Sequence, residues 1–176
     1  MIALAPVLQK VAAIAKPWAA FYGDSVAASV TVTFAHIAGL LFAGGVAIAA
    51  DRATLRAFRG GDESRQRVLE DLGTTHWWVL VALSLTMVSG LLLALSDVKT
   101  FGTSLTFWTK MVLIILLLIN GSVLQRTERQ LRGSVFFDAN SDSVRRGWSR
   151  LRVTAIISLA LWTSITLAGV ILVEAS

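Results

Sequence analysis

The sequence predicts an all-α membrane protein: an antiparallel four-helix transmembrane bundle with an N-terminal amphipathic surface helix, one domain over residues 1–176. Three observations carry this. Four apolar runs are each of about 20 residues or more, enough to cross a hydrocarbon core of about 30 Å. Only 15% of the residues are charged and the mean hydropathy is +0.70, against about 25% charged in an ordinary soluble domain. The basic residues gather between alternate runs, as the positive-inside rule requires of cytoplasmic connections.

Residues 1–25 come first. Lys10 and Lys16 interrupt the apolar residues, so no signal-peptide core follows a basic start. Leu4, Val7, Val11, Ile14, Trp18 and Phe21 recur at spacings of three and four and form one apolar helix face. The segment therefore reads as a helix lying at the membrane surface; packing on the bundle as an ordinary short helix is the alternative. Pro17 is expected to kink or break it near Lys16.

The first span is residues 26–50, with His36 as its one ionisable side chain. Ala35, Gly39, Ala43 and Ala47 recur every four residues, a smooth stripe that admits a close helix neighbour, within the chain or in a homo-oligomer or membrane partner. Residues 51–75 read as a polar loop with a turn at Gly60-Gly61. The second span is residues 77–95, entered through His76, Trp77 and Trp78, where interfacial aromatics belong. Residues 96–104 are a short polar turn. The third span is residues 105–124, with Lys110 near its start able to snorkel. Residues 126–152 read as a second arginine-rich connection with a turn at Asp138–Ser143, and the fourth span is residues 153–173.

Orientation follows from charge. Arginines 52, 56, 59, 65 and 67 lie between spans one and two, and arginines 126, 129, 132, 145, 146, 150 and 152 between spans three and four. The other basic residues are Lys10, Lys16, Lys99 and Lys110. The expected location is a cell inner (plasma) membrane, with the arginine-rich loops cytoplasmic and both termini outside, in the periplasm. The same arrangement explains the pI of 10.4 without nucleic acid.

The chain has no cysteine, which excludes disulfides, thiolate metal sites and c-type haem attachment. Ser-His-Asp triads, P-loops, HExxH and paired intramembrane carboxylates are not found, so nothing points to an enzyme. No span is broken by proline, the usual sign of a carrier's midplane site. His36 is the leading candidate site residue, because an ionisable group deep in a span must be satisfied or functional. Its imidazole is suited to ligate haem b iron or copper, or to hydrogen-bond Ser84, Thr86 or Ser89 across a helix pair. His76, at the inner boundary, is the second candidate ligand. A shared haem needs both imidazoles on one iron, yet their depths differ by about 15 Å at 1.5 Å per residue.

Certain residues carry a family likeness. Span one reads His36-x-x-Gly39-x-x-x-x-Gly44 and closes with Asp51-Arg52; span two carries Ser89-Gly90-Leu91. Span three opens Phe107-Trp108-x-Lys110 and holds Asn120; span four has Leu161-Trp162 and Gly169. Together they resemble a family of uncharacterised four-helix bacterial inner-membrane proteins, distantly similar to the copper-resistance D (CopD-like) membrane proteins. The resemblance implies a four-span bundle and copper or haem handling. With three methionines and two histidines in the chain, such a ligand set rests on the histidines.

Overall fold

The computed structural model describes residues 5–135 and 142–174. Among these the secondary structure is helical, in six helices: α1 (Ala5–Asp24), α2 (Val26–Arg59), α3 (Asp62–Ser96), α4 (Val98–Thr103), α5 (Leu105–Val135) and α6 (Asp142–Glu174). Four of them, α2, α3, α5 and α6, contain segments long and apolar enough to cross a membrane. The chain is thus built as an all-α membrane protein.

The apolar spans begin or end where the sequence predicts, but the helices do not stop there. Residues 51–75 are helical apart from the break at Gly60-Gly61, where the backbone is extended (φ −91° and −77°). Polar side chains do not end a helix whose backbone bonds remain intact; the two glycines, poor helix formers, do. The arginine-rich connection after span three is likewise helix to Val135, and helix resumes at Asp142. Asp142 and Ser143 are therefore helical, while the rest of the turn expected at Asp138–Ser143 lies outside the described residues. At 1.5 Å per residue, the 34 residues of α2 extend about 51 Å, well beyond an apolar slab of about 30 Å.

Two clusters of buried side chains result. Ala43, Ala82, Leu117, Trp162 and Ile165 lie among the apolar spans. Ala57, Leu69, Leu124, Leu131, Val144, Trp148 and Leu151 fill the space between the arginine-bearing ends. There Arg65 lies over the Trp148 ring at 5.5 Å and Arg152 over Phe58 at 4.9 Å, so the cations cover the apolar contacts.

Helix α1 runs unbroken through Pro17, so of the kink or break expected there the break does not occur. Proline removes one N–H, while packing holds the helix on both sides of it. Leu8 sits where Gly102 leaves room, Ala15 is buried, and the Trp18 indole N–H donates to the Leu92 carbonyl at 2.8 Å. Of the predicted apolar face, Val7, Val11, Ile14 and Phe21 stay exposed. The face turned to the protein is the one through Leu8, Ala15 and Trp18. The turn at residues 96–104 contains the short helix α4, capped by the Asp97 side chain, which accepts from the Thr100 N–H at 3.1 Å.

Candidate functional site

The small-residue stripe of α2 faces α3. A Cβ on Gly39 would stand 2.5 Å from Thr86 Oγ1 and 3.2 Å from the Ala82 carbonyl oxygen. Ala43 is fully buried, while Ala35 and Ala47 are half-buried beside it. Where lipid tails are as apolar as leucine, close backbone contact of this kind holds helices together through dispersion.

His36 lies along the same contact. Its Nδ1 is 3.0 Å from the Thr86 carbonyl oxygen and 3.3 Å from Ser89 Oγ. A carbonyl only accepts, so Nδ1 carries the proton and the Nε2 lone pair is left for another partner. Gly90 makes the space: a Cβ there would be 2.9 Å from the imidazole Cε1. Two of the residues foreseen as partners, Thr86 and Ser89, are the ones found, although Thr86 contributes its backbone oxygen. Lys110 is half-buried against α6, its ammonium 3.6 Å from where a Cβ on Gly169 would stand.

The backbone of His76 belongs to α3, but its side chain is outside the described residues. His76 precedes the residues around His36, Thr86 to Gly90, by ten to fourteen positions of one continuous helix. That corresponds to about 15–21 Å at 1.5 Å per residue. Among the described residues no group of three or more His, Cys, Asp or Glu side chains is gathered for a metal ion.

A second polar arrangement lies where the apolar spans give way to the arginine-bearing ends. A cavity of about 210 Å³ opens there, its polar lining including Asp51, Thr75, Asn120, Gln125, Glu128 and Ser158. Two carboxylates thus line one cavity, each just beyond the apolar run predicted for its helix. Asp51 is 4% exposed and Glu128 3%. Each is placed by its helix: Asp51 continues the every-fourth-residue stripe of α2 after Ala47, and Asn120, Leu124 and Glu128 lie four apart on α5. Asp51 faces inward and receives a hydrogen bond from Ser158, whereas its neighbour Arg52 is exposed.

The two carboxylates differ in their partners. Glu128 Oε1 is 2.8 Å from Arg132 Nη2 and 2.9 Å from its Nε. Arg132 also donates to the carbonyls of Leu69 and Glu70, and its guanidinium occupies the space left by Gly73. Asp51 Oδ2, by contrast, is buried without a hydrogen-bond partner in the protein. Asn120 secures the far wall by donating to the Thr154 carbonyl at 2.9 Å.

No family model, curated protein or solved structure matches this chain. The geometry therefore carries the functional argument.

The cavity escaped sequence reading because Glu128 falls beyond the third apolar run and Asp51 at the edge of the first. The signal that could have found it is the four-residue spacing, which places both carboxylates on the buried faces of their helices.

Proposed function

We propose that this chain is a noncatalytic accessory protein of a cell inner membrane. In this reading the four spans form an antiparallel bundle, with both termini outside and the arginine-rich helix ends in the cytoplasm. Its support is the sorting of side chains along the helices. Phe34, Leu41, Val88, Leu91, Ile119 and Ile156 are exposed along the apolar segments, while the arginines collect at residues 52–67 and 126–152. Such a surface requires the lipid bilayer as its partner. Val7, Val11, Ile14 and Phe21 would rest α1 on the outer leaflet. A homo-oligomer or membrane partner would have to use an outward face, because Gly39 lies against α3 and Ala43 is fully buried.

The absence of cysteine makes the test clean. Single reporters are introduced as Gly23→Cys, Gly61→Cys and Gly133→Cys, positions where an added Cβ meets nothing within 4 Å. An impermeant maleimide applied to spheroplasts is expected to label the first, and the other two only after permeabilisation. Labelling of Gly61→Cys and Gly133→Cys from opposite sides would overturn the topology.

One observation favours a second reading, b-type haem or copper handling through His36, in line with the resemblance to the copper-resistance D proteins. Donation of Nδ1–H to a backbone carbonyl is the orientation metal-ligating histidines usually adopt, and it leaves Nε2 to bind. The separation along α3 makes His76 of the same chain an unsuitable second ligand. The reduced-minus-oxidised spectrum of the purified protein tests this reading. A Soret and α band lost in His36→Ala would support it, and a colourless, copper-free preparation would remove it.

A further inference from the structure

The geometry points to the Asp51 cavity as a binding site for a small organic cation, an alkyl- or arylammonium with an apolar body, whose charge Asp51 Oδ2 accepts. Asp51 lines the cavity, and among the described residues its Oδ2 is buried without a hydrogen-bond partner in the protein. Asp51 is 4% exposed, and an unpaired buried acceptor is costly unless a ligand or water supplies the donor. The second carboxylate, Glu128, is already matched by Arg132, so the cavity has room for one positive charge. An ammonium brings the N–H donors that Oδ2 lacks.

The rest of the lining selects the body of the ligand. Leu80, Leu83, Leu117, Leu118 and Trp162 supply apolar wall. A bare divalent cation needs six or more oxygen ligands at close range, which these walls do not provide. They do suit a short alkyl chain or a single ring, and Trp162 adds a face attractive to cations. The volume of about 210 Å³ lies below the roughly 300–1,000 Å³ of sites for drug-sized molecules, so the ligand is small.

Calorimetry on the full-length protein in detergent tests the assignment, with benzylammonium as probe and benzyl alcohol as its uncharged counterpart. Saturable binding of one benzylammonium per chain is expected, at least tenfold tighter than benzyl alcohol. Asp51→Asn should weaken it at least tenfold, while the exposed Glu63→Gln should leave it unchanged. Should Asp51→Asn not fold, Leu80→Trp decides instead: it keeps the carboxylate, fills the volume and should abolish binding. Three results would each overturn the proposal: no saturable binding by the wild type, equal binding by the folded Asp51→Asn protein, or displacement by millimolar sodium with no preference for the organic ion. None of these readouts depends on the orientation of the chain in the membrane.

Discussion

Gly39 and Gly45 are six residues apart on one helix, yet an added methyl group has opposite consequences at the two. At Gly39 it would press on Thr86 and on backbone atoms of α3; at Gly45 it meets nothing within 4 Å. Gly39→Ala is therefore expected to lower stability by about 1–3 kcal/mol, the usual cost of overpacking. Gly45→Ala should be neutral or stabilising by up to about 1 kcal/mol through helix propensity. Unfolding midpoints of the two variants in detergent check both. The same reasoning accounts for His36: Gly90 gives the imidazole its space, and the Thr86 carbonyl gives it a fixed tautomer. A list of residue types contains His36, but the room beside it depends on the register between two helices.

Among the elements, α4 makes the clearest prediction. Its cap is Asp97, whose carboxyl is held below the ordinary aspartate value, chiefly by a side-chain hydrogen bond with Thr100 and then by the Thr100 backbone N–H. A carboxyl depressed in the folded state stabilises above its unfolded pKa of about 3.9. That stabilisation disappears as pH falls through the lower folded value. Hydrogen exchange at the Thr100 amide should therefore show protection above about pH 4 that fades below it. Asp97→Asn, which keeps a good capping oxygen, should flatten this dependence. The longer helices illustrate a different point. The helix ends remote from the arginines were legible: α2 starts at Val26 after the Ser25 cap, α5 starts at Leu105 and α3 ends at Ser96, since a change between polar and apolar residues marks them. The arginine-bearing ends were not legible, because amphipathic continuations such as residues 51–59 satisfy their backbones in water as readily as in lipid.

For the whole molecule, the two buried clusters depend on different forces. Among the spans, small residues let helices approach in a solvent already apolar. At the arginine-bearing ends, leucines and Trp148 are removed from water, and the hydrophobic effect operates. Leu151, 0% exposed, belongs to the second cluster. Leu151→Ala is expected to cost about 2–5 kcal/mol, whereas Leu105→Ala, at a residue 81% exposed, should change stability by no more than about 0.5 kcal/mol. Thermal unfolding in one detergent compares the pair directly. The Asp51 cavity lies at the junction of these two regions, where polar side chains from α2, α5 and α6 meet away from bulk water.

By itself the sequence determined the helical class, the four apolar segments and the stripe at Ala35, Gly39, Ala43 and Ala47. These follow from composition and from periodicity along a single helix, both local properties. Only the tertiary structure decided that Asp51 is buried with no match for its Oδ2. Glu128 and Arg132 pair one turn apart on α5, but Asp51, Glu128 and Ser158 are distant in the chain, and their meeting depends on how α2, α5 and α6 are seated against one another. That seating arises from side-chain packing summed over entire helix faces, a quantity no stretch of residues contains alone.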